Sequence, residues 1–232
     1  MTEFIFFDTA GTLLCPFPSV GRIYAAAGRP HGLEVEPKRI DGAFRTVWRK
    51  RMEESGDDLL RAGRNKDATR EWWRGIVFQV LREVGFQGDR EACFDACHKA
   101  FGKPSAWRIY DDVFPALEEL RHRRASMGIL SNWDYRLPSL LAGLGLVQYF
   151  EPILVSSLEG MRKPDPAFFK LAIQRAGVAP GAILHVGDQL ALDLEPARRM
   201  GMQACLIDRT RSKPRGRSLI HSLSEVARMF GH

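Results

Sequence analysis

A chain of 232 residues, 45% hydrophobic and 27% charged, has the composition of a globular protein that can bury one large core. The net charge of +6 comes mainly from arginine, but the basic clusters at 121–124 and 209–217 have no interleaved aromatic residues and accompany no nucleic-acid-binding motif. The start, MTEFIFF, is not typical of a signal peptide, no apolar run is long enough to cross a bilayer, and the scattered cysteines indicate free thiols. We therefore expect a cytoplasmic protein with a solvated basic face that binds neither nucleic acid nor membrane. Attraction of an anionic substrate is the alternative role for these basic clusters.

The first predicted element is a strand over residues 4–7, which leads directly into Asp8 and a tight turn at Gly11 and Thr12. A short continuous apolar run is typical of a strand that is covered on both faces. A carboxylate at the C-terminal end of such a strand lies where open α/β sheets bind ligands. An Asp at this point also fits a simple cap on the following segment. Its role therefore depends on which other residues converge on it.

A helical segment without a strand-like run follows, from Pro16 to Pro104. Trp48, Trp72 and Trp73 fall at helical spacing within it, which is typical of core packing rather than of cofactor contact. The periodicity and the glycine-rich or charged breaks predict a four-helix unit. Its helices are expected over residues 20–30, 37–54, 68–84 and 89–101.

After Trp107, predicted strands alternate with predicted helices, which indicates right-handed βαβ units and a parallel sheet. The strands are expected over residues 126–130, 153–155, 182–186 and 204–207. The helices are expected over residues 113–124, 137–144, 166–176, 194–200 and 222–230. The predicted fold class is therefore α/β, with a Rossmann-like core domain of residues 1–15 and 105–232, interrupted by an all-helical domain of residues 16–104.

Polar side chains follow four of the predicted core strands. Since the C-terminal ends of parallel strands share one edge, we expect these side chains to meet in one crevice. Carboxylates, a hydroxyl and one lysine suit a divalent cation together with an anionic oxygen cluster, and hard oxygen ligands favour magnesium. The residues, in chain order, are Asp8, Ser131 with Asn132, Lys163, and Asp188 with Asp193.

Four short motifs surround these residues: DTAGTL at Asp8, ILSN at Ser131, RKPDP at Lys163, and GDQLALD at Asp188 and Asp193. In combination they resemble the four motifs of the haloacid dehalogenase superfamily, and the inserted helical domain resembles its type C1 cap. The segments HGLEVEP (31–37) and EWW (71–73) are similar to the branch that includes the fly rhythmically expressed protein and the animal haloacid dehalogenase-like hydrolase domain-containing proteins. The likeness covers essentially the whole chain.

The resemblance implies a magnesium-dependent hydrolase, monomeric or dimeric, that acts on a small phosphorylated molecule. Asp8 would be the nucleophile that forms an aspartyl-phosphate, and Lys163 would neutralise the developing charge. Ser131 would hold the phosphoryl oxygens and complete the catalytic set. The remaining phosphate contacts would come from Thr9, Ala10, Asn132 and Lys163. The magnesium ligands would be Asp8, the Ala10 carbonyl, Asp188 and Asp193.

Ala10 departs from the pattern of the superfamily's phosphatases, which place a second Asp there as general acid and base. Positioned acid–base catalysis is worth roughly 10²–10⁴-fold. The sequence leaves three alternatives: a slow phosphatase, a phosphatase that uses water or a cap residue, and a protein that binds a phosphate ligand or a partner without turnover. His185 and Tyr24 are candidate substitutes, but their positions inside a strand and on a helix are typical of packing residues.

Two other chemistries of the superfamily also lack the second Asp. Haloacid dehalogenases typically need no metal, and the pair of Asp188 and Asp193 argues against that activity. Phosphonoacetaldehyde hydrolases share the Asp-x-Ala-Gly-Thr form but use a cap lysine as a Schiff base. The lysines of the predicted cap match no such context, so both chemistries rank below a phosphatase; they are Lys38, Lys50, Lys66 and Lys99.

Overall fold

The computed structural model describes residues 2–54, 66–212, 214, 216 and 218–229. The chain divides into two compact units, one formed by Met1–Cys15 and Ile109–His232 and the other by Pro16–Arg108. No helix among the described residues combines the length and the apolar character needed to span a membrane.

The described part of the chain contains both strands and helices, numbered in chain order. The strands are β1 (Phe4–Phe7), β2 (Leu14–Pro16), β3 (Trp107–Ile109), β4 (Ser126–Ser131), β5 (Ile153–Val155), β6 (Ile183–Gly187), β7 (Gln203–Ile207) and β8 (Leu219–Ile220). The α-helices are α1 (Val20–Gly28), α2 (Pro37–Glu54), α3 (Lys66–Glu83), α4 (Arg90–Phe101), α5 (Val113–His122), α6 (Leu137–Gly143), α7 (Ser156–Glu159), α8 (Pro166–Ala176), α9 (Glu195–Arg199) and α10 (Ser224–Met229). Short 3₁₀ turns cover Arg29–His31, Pro104–Ala106, Val147–Tyr149 and Pro180–Ala182, and a π-helical turn covers Leu190–Leu194.

The first unit is a Rossmann-like α/β fold, as the sequence predicts. Its six strands form one sheet in the order β5-β4-β1-β6-β7-β8, and every pairing is parallel. β1 is central, and all four of its residues are buried because the sheet is covered on both faces. Phe7 lies opposite Ile129 of β4 and Val186 of β6, so the residue after Phe7 emerges between the ends of these two strands.

The second unit is helical and has its own apolar core. Trp72 is buried in that core, and Trp48 and Trp73 pack against it. The Trp48 ring stacks on both Phe44 and Trp73, with 5.8 Å between ring centroids in each pair. Side-chain caps fix two of the helix starts, since the Ser19 hydroxyl accepts from a backbone N–H of α1 and the Asp89 carboxylate accepts from two of α4.

Most predicted elements differ from the observed ones by one or two residues at their ends. The first predicted helix instead ends at Gly28 and continues as a 3₁₀ turn, in which Pro30 occupies a position that needs no N–H donor. Three short strands, β2, β3 and β8, were not predicted; they have two or three residues each, too few to show an alternating pattern. The last helix ends at Met229, and the predicted end at Phe230 lies outside the described residues.

Candidate active site

Asp8 lies at the centre of the candidate site, at the end of β1. Its Oδ1 atom accepts hydrogen bonds from the Ser131 hydroxyl at 3.0 Å and from the Lys163 ammonium at 2.8 Å. Ser131 is the last residue of β4, so the parallel register of β1 and β4 brings the two side chains together. Burial raises the pKa of Asp8 above its ordinary value, and the nearby Lys163 charge opposes this effect.

Gly11 allows Asp188 to approach the loop after β1. Its φ of +76° lies in the left-handed region, and a Cβ atom there would lie 2.3 Å from Asp188 Oδ2. Any side chain at this position would therefore displace the Asp188 carboxylate. Burial, and then the charges of Asp8 and Asp193, raise the pKa of Asp188 to about 7. Asp188 Oδ1 is buried and has no hydrogen-bond partner among the described residues.

Lys163 lies between two carboxylates in the interior of the first unit. Its ammonium group donates to Asp8 and also to Asp193 Oδ1, at 2.5 Å. Burial alone would lower the pKa of Lys163, but Asp193 and Asp8 together raise it above its ordinary value. Burial would raise the pKa of Asp193, yet the Lys163 charge and a hydrogen bond from His185 hold it below its ordinary value. Lys163 and Asp193 therefore form a charged pair.

Two contacts of Asp193 were missed by the sequence analysis. His185 Nε2 lies 3.0 Å from Asp193 Oδ1, and the Gln189 N–H donates to Asp193 Oδ2 at 3.0 Å. His185 is fully buried in β6, and its ring makes this polar contact in addition to its packing. A signal was present in the sequence, because a polar residue within a strand that is buried on both faces needs a hydrogen-bond partner.

Asn132 holds the backbone of Lys163. Its Nδ2 donates to the Lys163 carbonyl at 2.9 Å, and its Oδ1 accepts from the Lys163 N–H at 2.8 Å. The amide of Asn132, expected at the phosphate, is thus engaged by the chain itself and positions the loop that carries Lys163.

The other residues expected at the phosphate lie in the loop after β1. Thr9 is fully buried, and the hydroxyls of Thr9 and Thr12 have no hydrogen-bond partner among the described residues. Ala10 is exposed, and its methyl group can neither donate nor accept a proton. Position 10 of this loop therefore faces solvent without an acid–base side chain.

Arg209 is an exception to the solvated basic face that the sequence predicts. Its guanidinium donates to the Thr12 carbonyl at 3.1 Å and to Asp112 at 2.7 Å, and it lies 4.1 Å from the centre of the Tyr110 ring. Asp112 also accepts from the Ser222 hydroxyl at 2.8 Å. Arg209 thus fixes the loop after β1 to two distant segments. No local sequence pattern indicates such a contact.

The carboxylates around Asp8 fit a divalent cation. One oxygen each from Asp8, Asp188 and Asp193 lies within 4.8 Å of the other two. Three carboxylates and the Lys163 ammonium leave an excess of two negative charges when all four are ionised. The unpartnered oxygen of Asp188 needs such a ligand, and hard oxygen donors suit magnesium. Asp8 and Asp188 are the more available ligands, since both oxygens of Asp193 already accept hydrogen bonds.

A parallel sheet with an Asp, a Ser, a Lys and an acidic pair at its C-terminal edge defines a hydrolase of the haloacid dehalogenase class. The family model described as haloacid dehalogenase-like hydrolase matches residues 2–201, and the chain belongs to this family. It is 34% identical over 203 residues to the human haloacid dehalogenase-like hydrolase domain-containing protein 3, which covers 86% of this chain and 79% of the relative. The predicted family is confirmed.

Two further relatives are more distant. The Rhythmically expressed gene 2 protein of Drosophila melanogaster is 26% identical over 216 residues, covering 88% of this chain and 82% of its own. The phosphoserine phosphatase of Thermus thermophilus is 28% identical over 226 residues, covering 89% of both chains. The fly protein and the human relative match the branch that the sequence predicts.

Solved structures confirm the fold. The putative hydrolase YfnB from Bacillus subtilis, bound to magnesium, has a TM-score of 0.76 at 18% identity and covers 100% of this chain and 99% of that chain. The L-2-haloacid dehalogenase from Xanthobacter autotrophicus has a TM-score of 0.73 at 20% identity, covering 99% and 98%. Since one fold supports several chemistries, these likenesses do not select a reaction.

Proposed function

We propose that this hydrolase is a magnesium-dependent phosphatase that transfers the phosphoryl group of a small phosphate ester to Asp8. The observation that carries the proposal is the environment of Asp8. Lys163 and Ser131 both bond to its Oδ1, and Asp188, whose Oδ1 has no hydrogen-bond partner among the described residues, lies beside it. The relative named phosphoserine phosphatase and the neighbour bound to magnesium support the reaction class and the metal.

In the first proposed step a carboxylate oxygen of Asp8 bonds to phosphorus, and the bond from phosphorus to the ester oxygen breaks. The electron pair of that bond leaves with the alcohol. Asp8 and the phosphoryl group are both anionic, so the Lys163 ammonium, 2.8 Å from Asp8 Oδ1, stabilises their approach. The Ser131 hydroxyl fixes the orientation of the same carboxylate. Magnesium held by Asp8, Asp188 and the Ala10 carbonyl would supply further positive charge between the two anions.

In the second proposed step water attacks phosphorus and the bond to Asp8 breaks. Orthophosphate leaves, and Asp8 returns to its carboxylate form. The leaving alcohol gains one proton and the attacking water loses one, and both exchange with solvent because Ala10 offers no acid–base group. A slow turnover follows, since positioned acid–base catalysis is worth roughly 10²–10⁴-fold.

The test is hydrolysis of an aryl phosphate by the wild type and by Asp8→Asn, each with magnesium or with EDTA. We expect magnesium-dependent hydrolysis by the wild type and none by the variant. Asp111→Asn is the matched control, since Asp111 is an exposed aspartate of the same unit. Full activity of Asp8→Asn, or wild-type activity that is unchanged in EDTA, would contradict the proposal.

A second candidate is a phosphate-binding protein without turnover, and the exposed Ala10 favours it. A screen of phosphate esters with and without magnesium separates the two. Inactivity of the pure, folded protein on every ester, together with magnesium-dependent binding of inorganic phosphate by calorimetry, supports the binder.

A further inference from the structure

His185 has surroundings that a packing residue would not need. It lies in the middle of β6, between Phe6 of β1 and Ala204 of β7, and is fully buried. Its ring stands edge-on to Phe169, with 5.8 Å between ring centroids. The single polar contact of the ring within the described residues is the one from Nε2 to Asp193 Oδ1, at 3.0 Å.

The direction of this hydrogen bond follows from the other partner of Asp193. Asp193 Oδ1 also accepts from the Lys163 ammonium, so Asp193 is a carboxylate and can only accept. His185 Nε2 therefore carries the hydrogen. His185 Nδ1 is then buried without a partner among the described residues, which costs free energy that an apolar side chain of similar size would avoid. The hydrogen bond to Asp193 is what the histidine adds at this position.

Lys163 is shared between two acceptors. Its ammonium lies 2.5 Å from Asp193 Oδ1 and 2.8 Å from Asp8 Oδ1. The hydrogen bond from His185 partly satisfies Asp193 Oδ1 and weakens the attraction of this oxygen for the Lys163 ammonium. The ammonium therefore stays within hydrogen-bond distance of Asp8. Removing that donor leaves the Asp193 carboxylate held by the Gln189 N–H and by Lys163 alone.

We propose that His185 is a positioning residue that holds Asp193 Oδ1 and thereby keeps the Lys163 ammonium against Asp8. The effect of His185 on catalysis rests on the proposed phosphatase function, but its effect on the position of Lys163 does not. The role requires only the Nε2 donor of His185.

The kinetic test compares His185→Gln with His185→Met. The two side chains have similar length and volume, but only glutamine carries an N–H donor close to the position of histidine Nε2. Partners of this kind, one step behind the groups at the reaction centre, typically contribute about 10- to 100-fold. We expect His185→Met to lower kcat on an aryl phosphate by about that factor with little change in KM, because Ser131 and the loop after β1 are unaltered. His185→Gln should recover most of the loss.

Phe169→Leu is the packing control, since it removes the ring contact to His185 and leaves the bond to Asp193. It should keep the wild-type kcat. Circular dichroism and thermal unfolding establish that each variant is folded. Equal impairment of the Gln and Met variants would mean that the ring packs and does not position, and a wild-type kcat in His185→Met would equally overturn the proposal.

A second readout needs no turnover. The ¹H–¹⁵N resonance of the Lys163 ammonium, assigned by its absence in Lys163→Met, reports whether this group is held in place. We expect a sharp resonance in the wild type and in His185→Gln, and a shifted or broadened one in His185→Met. If the wild type hydrolyses no ester, the proposed function fails while this resonance still tests His185. An unchanged resonance in His185→Met refutes the positioning role.

Discussion

Asp188 should destabilise the folded protein when no metal is bound. Its pKa is raised from 3.8 to about 7, first by burial and then by the charges of Asp8 and Asp193. Each pKa unit corresponds to about 1.4 kcal/mol, so the ionised group costs about 4 kcal/mol relative to the unfolded chain. Between about pH 4 and pH 7 the unfolded state has lost a proton that the folded state keeps. Stability therefore falls as the pH rises through this range, and the full cost is present above pH 7.

The substitution Asp188→Asn removes this charge and keeps the shape of the side chain. In EDTA at pH 8 the variant should be more stable than the wild type by up to about 4 kcal/mol, and near pH 4 the two should differ little. Magnesium should narrow this difference, because a ligand at about 100 times its Kd stabilises the folded wild type by about 2.7 kcal/mol, and the variant has lost a ligand group. Urea-dependent hydrogen exchange of peptides from β1 and β6 measures unfolding of the unit that contains Asp188.

The pH dependence is the decisive part of this experiment. Asp111→Asn, which removes an exposed carboxylate of the same unit, should change stability little at either pH. If the difference between Asp188→Asn and the wild type in EDTA is the same at pH 4 and pH 8, the raised pKa is wrong. A variant less stable than the wild type at pH 8 in EDTA would refute the reasoning altogether.

Other substitutions test single contacts. Ala10→Asp should raise kcat, by at most the roughly 10²–10⁴-fold that a positioned acid contributes. An unchanged kcat would show that the missing acid does not limit the rate. Asp112→Ala should cost about 2–3 kcal/mol in urea denaturation at pH 7, because Arg209 loses its carboxylate partner. Burial raises the pKa of Asp112, but the hydrogen bond from Arg209 holds this pKa below its ordinary value of 3.8. The loss of stability in Asp112→Ala should therefore become smaller as the pH falls through the lowered pKa. An equal loss at pH 2 contradicts the assignment. Asn132→Ala frees the backbone of Lys163 and should lower kcat, whereas a wild-type kcat would show that the loop is held without it.

The sequence was sufficient to predict five of the six strands of the sheet and the edge at which the candidate site lies. β1 is a continuous apolar run, and each group around Asp8 follows a strand, so the rule that parallel strands share their C-terminal edge was enough to bring them together. Ser131 and Lys163 lie 123 and 155 residues from Asp8 along the chain, yet both bond to the same oxygen. Topology, not proximity in sequence, made this prediction possible.

The atomic roles within the site could not be predicted in the same way. Asn132 was expected at the phosphate, but a single sequence does not show that its amide matches the backbone N–H and C=O of Lys163. The approach of Asp188 to Gly11 depends on a positive φ at Gly11. A glycine permits a positive φ, but its presence in a sequence does not show that it adopts one. His185 was interpreted as a packing residue because periodicity distinguishes buried from exposed positions. It does not show which buried nitrogen has a hydrogen-bond partner.

Ala10 makes the leaving group the main determinant of the proposed reaction. Of the side chains described around Asp8, Lys163 and Ser131 are already bonded to the nucleophile, and His185 is buried behind Asp193. Asp188 is a proposed ligand of the magnesium ion and would be ionised there. None of them is placed to give a proton to the departing oxygen, so that oxygen leaves as an anion or takes its proton from water. A phenol ionises near pKa 10, about where tyrosine does, whereas an aliphatic alcohol is far less acidic. The wild type should therefore favour aryl over alkyl phosphates more strongly than Ala10→Asp does, and equal preference in the two proteins would mean that a donor outside this set protonates the leaving group.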